Sequence, residues 1–176
     1  PNPVCFGVLA KNATLNSSVS RIIPIPFACA EEDSSLVFNY SDPWLANGGD
    51  KSSFGRTHGH QFAVPVDGLH PLQFLSARYS QELKRVKYIK IDVEGLDLMV
   101  LNQFEPLIKA TNPFIKFEIA KFTSHADREG LMTFFEGKSY RLHRVDAAHN
   151  RLFGPVISPS EFVCRTSFDV FCVPTA

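Results

Sequence analysis

Apolar and polar positions recur with two different periods along this chain, and the switches between them mark out its elements. In "YIKIDV", residues 88–93, and "FIKFEI", residues 114–119, every second residue is apolar on one face, the period of a half-buried strand. Between them "GLDLMVLNQFEPLI" places Leu96, Val100, Phe104 and Leu107 on one stripe, the period of a helix. Upstream, "QFAVPVDGL" reads as a strand and "HPLQFLSARYSQEL" as a helix, with Pro71 near its start and Leu72, Leu75 and Tyr79 at helical spacing. Asn2 and Pro3 have the residue types of an N-cap and a first helical position, ahead of Val4, Val8 and Leu9. That helix should fade by Asn12 to Asn16. "RIIPIPFACA" reads as a strand disturbed by Pro24 and Pro26, and "SSLVFNYS" as a shorter one. Ser124 with Asp127 looks like a capping pair for "HADREGLMTFFEGK", which Gly137 can end. "SYRLHRVD" and "SFDVFCV" close the chain as strands, with "EFVCR" pairing near them.

Strand, helix, strand, helix, strand predicts parallel βαβ units, hence an α/β fold. The last strands follow a long link without a clear helix, so they should include an antiparallel one. The 176 residues suit one domain, over residues 1–176. The 44% hydrophobic content and 16 phenylalanines can fill its core. Acidic and basic residues cancel, 18 against 18. No basic field points to nucleic acid, and no apolar run reaches the roughly 18 residues of a membrane span. Cys5, Cys29, Cys164 and Cys172 form no CxxC pair. A hairpin could bring Cys164 to Cys172, but free thiols are the simpler reading, and they fit a reducing, cytoplasmic setting.

The chemistry concentrates on the two strands of matching order: aromatic, lysine, acid. Tyr88, Lys90 and Asp92 share one face, and so do Phe114, Lys116 and Glu118. As parallel neighbours joined by the helix at 96–108, they would place both acids near their carboxyl ends, where open α/β sheets hold ligands. The lysines can be explained by ion pairing or by reaching past the sheet to solvent. An acid buried without purpose is costly, which favours a ligand-site role for Asp92 and Glu118. Glu94 precedes Gly95 at the turn into the helix, where it would favour the helix N-terminus or contact a substrate. Residues 41–60 form a long loop with His58-Gly-His60, flanked in sequence by Asp50 and Asp67, either part of a metal site or a solvated pair. His125 would face the same cleft as Glu118 or stand exposed. There is no GxSxG motif and no P-loop.

"YIKIDVEG", the following helix with "VL", and "PFIKFEI" resemble FkbM-type methyltransferases, which transfer a methyl group from S-adenosylmethionine. The resemblance extends through "PNP…L…N…LN", "IPFACAEEDSSLVF", "VPVDGL" and "SFDVFCVP", nearly all of residues 1 to 174. His70 stands where the family shows an Asp. The resemblance implies a Rossmann-like class I methyltransferase sheet, mostly parallel with an antiparallel C-terminal strand. It implies Asp92 beside the reacting groups and Glu118 as base or substrate contact. Asn2, Ala28 and Cys29 would lie near the ribose and adenine, with Asp92 also touching the cofactor. Glu94, His60 and His125 are the substrate-side candidates, for a small-molecule or glycan acceptor such as a sugar or natural-product hydroxyl. None of the ten glycines makes a GxG, so the family's glycine-rich cofactor loop and its N-terminal strands are expected to be missing from this sequence. A degenerate methyltransferase-like interaction module, and a metal-dependent α/β enzyme using the two acids, are the alternatives.

Overall fold

The structure is a computed structural model, and it describes residues 1–18, 21–40, 48–49, 62–93, 95–121, 123–145, 154–163 and 167–175. The chain divides into two compact units, Pro1–His70 and Pro71–Ala176.

The first unit opens with helix α1, Pro3–Leu15. The Asn2 side chain caps it, accepting hydrogen bonds from the amides of Val4 (2.9 Å) and Cys5 (3.0 Å), with Pro3 in the first turn as the sequence predicts. Four strands follow: β1 (Ala28–Cys29), β2 (Ser34–Tyr40), β3 (Gly48–Gly49) and β4 (Phe62–Leu69). They lie in the order β1-β4-β2-β3, with β1 parallel to β4 and the other two pairs antiparallel. The strand expected over "RIIPIPFACA" shrinks to Ala28–Cys29, because the ladder cannot run through two prolines. Pro65 is tolerated inside β4. β1 reaches only Gly68 and Leu69, so at Pro65 one side of β4 faces no described strand.

The second unit runs α2 (Pro71–Leu83), β5 (Tyr88–Lys90), α3 (Asp97–Thr111), β6 (Phe114–Ile119), α4 (His125–Phe135), β7 (Tyr140–Arg144), α5 (Pro159–Val163) and β8 (Phe168–Pro174). Its sheet has the order β5-β6-β8-β7. β5 and β6 are parallel, with Tyr88 opposite Phe114 and Lys90 opposite Lys116, so the expected βαβ unit forms with its matching residues in register. β6, β8 and β7 pair antiparallel, which places the predicted antiparallel strand at β8.

The expectation of one mostly parallel sheet needs correction. Two separate mixed sheets form, and four of the six described strand pairs are antiparallel. Parallel neighbours need a crossover, and among the described residues β5–α3–β6 is the one parallel pair linked directly through a helix. β4 and β5, also joined by a helix, belong to different sheets. "EFVCR" is corrected as well: Glu161, Phe162 and Val163 are helical. Ser158 and Glu161 form a reciprocal cap there. The Ser158 amide donates to Glu161 Oε2 at 2.9 Å, and the Glu161 amide donates back to Ser158 Oγ at 3.4 Å.

One face of the second sheet is the core. Ile115, Phe117, Ile119, Val170 and Cys172 are almost fully buried. Phe117 stacks on Phe135 of α4 (centroids 5.7 Å apart) and tilts against Phe162 of α5. In α3, Val100, Leu101, Phe104, Leu107 and Ile108 are buried, and Pro106 is accommodated within the helix. α3 stops at Asn112, which takes the left-handed conformation (φ 47°) before Pro113, its amide bonded to the Ile108 carbonyl. α4 passes close to α3 at Gly130, where an added Cβ would stand 2.5 Å from Leu98 Cδ2. Its Ser124 cap forms as predicted, and Gly137 follows its end with φ 71°. The opposite sheet face carries Tyr88, Phe114 and Phe171, with Phe114 stacked on Phe171 at 5.9 Å.

Candidate functional site

The chain leaves β5 after Lys90, and one further ladder bond, from the Ile91 amide to the Lys116 carbonyl, holds it beside β6. Asp92 then emerges at the carboxyl end of the strand with its side chain half exposed. Its Oδ2 pairs with Lys90 Nζ at 2.5 Å, and the bond to that carboxylate raises the lysine's pKa. One strand over, Lys116 pairs with Asp169 of β8 at 2.6 Å. Both lysines are therefore held in ion pairs, along β5 in one case and across to β8 in the other. Glu118 is half-buried near the carboxyl end of β6, where its Oε1 accepts a hydrogen bond from Ser167 Oγ at 3.1 Å. Asp92 Oδ1 and Glu118 Oε2 have no partner among the described residues.

The buried acid at this end of the sheet is a third one, Asp97, which sequence reasoning passed over. It is the first residue of α3 and only 2% exposed. Its Oδ2 accepts from the Gly95 amide at 3.3 Å and its Oδ1 from the Glu118 amide at 3.5 Å. Burial pushes its pKa up to about 6, against the pull of those backbone donors, and the nearby charge of Asp92 adds to the rise. Gly95 supplies the turn between β5 and α3 with φ 93°, a conformation that few residues other than glycine adopt. The signal for Asp97 lay in the helical period. Counting four, seven and eleven residues on from it gives Leu101, Phe104 and Ile108, all buried, so the acid sits on the apolar stripe.

Asp92, Asp97 and Glu118 are thus gathered at the carboxyl ends of two parallel strands, the position that open α/β sheets use for ligands. The other candidates divide. His125 opens α4 and is exposed. It contacts Glu129 one turn on, at 3.4 Å, and makes no hydrogen bond or ion pair with Glu118. Glu94, His58 and His60 lie outside the described residues. In the first unit Asn2 is the α1 cap and also bonds the Tyr40 side chain, while Ala28 is buried and Cys29 half-buried, its thiol pushed up by burial. Cys5, Cys29 and Cys172 are free thiols. Among the described residues no group of three His, Cys, Asp or Glu side chains is placed to hold a metal ion, and no helix is long and apolar enough to cross a membrane.

The second unit also has an open cavity of about 450 Å³ between α4, β7 and the 156–162 segment. None of the three acids lines it.

Comparison with known proteins gives a single kind of answer. No curated protein and no solved structure matches the chain. The family model described as the methyltransferase FkbM domain matches residues 1–142, a span that contains β5, α3, β6 and all three acids. With that match covering most of its length, the chain belongs to the FkbM methyltransferase family.

Proposed function

We propose that this chain is an S-adenosylmethionine-dependent methyltransferase that methylates a hydroxyl oxygen on a small-molecule or glycan acceptor, a sugar or natural product. The observation that carries the reading is the pair of carboxylates Asp92 and Glu118 at the ends of β5 and β6, each with one oxygen engaged and one open among the described residues. Open carboxylate oxygens of this kind suit hydroxyl groups, whether of a ribose or of an acceptor. They also suit the positive charge that such a cofactor carries.

The cofactor, when bound, supplies an electrophilic methyl group on a sulfonium. Asp92 and Glu118 would orient the acceptor hydroxyl, and one of the two would take its single proton. Asp92, on a half-exposed side chain steadied by Lys90, is the residue we place beside the reacting groups. Glu118, held by Ser167, is the second candidate for base or acceptor contact. Within the first unit, Asn2, Ala28 and Cys29 are the proposed nucleoside contacts. Glu94, His60 and His125 remain proposed acceptor contacts from their places in the sequence, while the nucleoside contacts and the acceptor class rest on likeness to the family alone. A single methyltransferase domain over residues 1–176 is part of the same reading.

Isothermal calorimetry of the full-length protein with S-adenosylmethionine and S-adenosylhomocysteine is the direct test. Saturable binding of both is expected. No heat with either ligand defeats the reading and leaves a methyltransferase-like interaction module.

A further inference from the structure

We propose that Asp97 is the positioning residue of this site: its carboxylate ties the turn after β5 to the carboxyl end of β6, and so fixes Asp92 and Glu118 relative to each other. The inference rests on the methyltransferase reading for its consequence but on geometry alone for its substance. Asp97 is buried at the start of α3, and each of its oxygens accepts an amide from a different segment. Gly95 lies three residues past Asp92 in the chain, and the other amide is that of Glu118 itself. No other described side chain bonds both segments.

A neutral aliphatic residue would suit the stripe position better, since Leu101, Phe104 and Ile108 continue the same face. Among the described residues no cation pairs with Asp97, so it gains nothing from an ion pair. Its charge is met by backbone amides, those of Gly95, Glu118 and Asp97 itself, which a carboxylate can accept at once. An amide or a protonated acid offers one strong acceptor oxygen and a donor that must then find a partner. Asp92 opposes the ionisation of Asp97 and is itself bound to Lys90 of β5. On β6, Glu118 is turned to Ser167, and Lys116 is bound to Asp169 of β8. With Asp97 titrating near pH 6, the brace between the two segments is complete above that pH and weakened below it.

The test uses the full-length protein and two readouts. In ¹H–¹⁵N spectra the Gly95 and Glu118 amides should shift together with a midpoint near pH 6, and the shift should vanish in Asp97→Asn. Affinity for S-adenosylmethionine should fall about tenfold from pH 7.5 to pH 5. Asp97→Asn should show the weaker affinity at both pH values, and Asp97→Glu should restore part of the pH dependence. Amides that do not titrate together, or an Asp97→Asn protein with wild-type affinity and pH profile, overturn the proposal. Absence of S-adenosylmethionine binding at every pH in the wild type defeats the function, while the amide titration still decides the role of Asp97. If Asp97→Asn fails to fold, the wild-type titration decides alone.

Discussion

Three acids at one end of a sheet differ in what the fold has done to each. Asp92 is half exposed and paired with Lys90, Glu118 is half-buried and held by Ser167, and Asp97 is enclosed with only backbone donors. Asp92→Asn keeps the shape and removes the proton acceptor. Under the proposed function its turnover should fall by about 10²–10⁴-fold, beyond any loss of cofactor affinity, measured by initial rates at saturating cofactor once an acceptor is known. Undiminished turnover removes Asp92 from its role. Asp97 makes the opposite trade. Its folded-state pKa of about 6 lies above the ordinary 3.8, so between about pH 4 and pH 6 the native state holds more protons than the unfolded one. Its contribution to stability is therefore full at low pH and is lost as pH rises through 6, a cost of roughly 3 kcal/mol at neutral pH. Asp97→Asn should be as stable as the wild type or more so at pH 7, and should lack the decline between pH 4 and 6. Urea melts across that range check it. A variant less stable than the wild type by more than about 2 kcal/mol at pH 7 means that the two amide bonds outweigh the desolvation.

At the scale of elements, the caps and stops were legible in the residues because their chemistry is local. Asn2 at α1, Ser124 with Asp127 at α4, and Gly95 and Gly137 at their turns all act as their types predict. The misread elements were those where a neighbour in space decided. β5 ends at Lys90, short of Val93, because only a single further bond to β6 follows. Residues 161–163 became a helix once Ser158 and Glu161 capped each other. α3 and α4 approach at Gly130, and this gives a graded test. In Gly130→Ala the new Cβ meets the flexible end of Leu98, which can turn away, while alanine gains about 1 kcal/mol of helix propensity. That variant should be close to neutral. Gly130→Val cannot be relieved in the same way and should cost about 1–3 kcal/mol in chemical denaturation. Equal stability of the two would mean that the helices separate freely.

For the whole molecule, the second unit stands on a core of packed aromatics: Phe117 stacked on Phe135, Phe162 tilted against Phe117 and edge-on to Phe168, and Phe134 edge-on to Phe135. Phe117 is 1% exposed at its centre. Phe117→Ala should cost about 3–5 kcal/mol, read as a fall in the denaturation midpoint. A cost below about 1 kcal/mol would mean that the neighbouring rings close the void. Beside this core, buried Arg128 binds the carbonyls of Ala120 (2.8 Å), Thr123 (3.2 Å) and Phe162 (3.3 Å). It thereby ties the segment after β6 to α5, so the strand end that carries Glu118 is anchored on its far side too.

The sequence by itself determined the four longer helices, most strands, their caps, and the lysine–acid order on two strands, because each depends on residues a few positions apart. It also placed the chain in its family through the residues around Asp92. Tertiary structure decided how the strands sort into two sheets and which acid is buried. Sheet membership depends on pairing between distant segments, which periodicity does not encode. Burial of Asp97 depends on what closes over the start of α3, and its hydrogen bond to Glu118 spans 21 residues of chain.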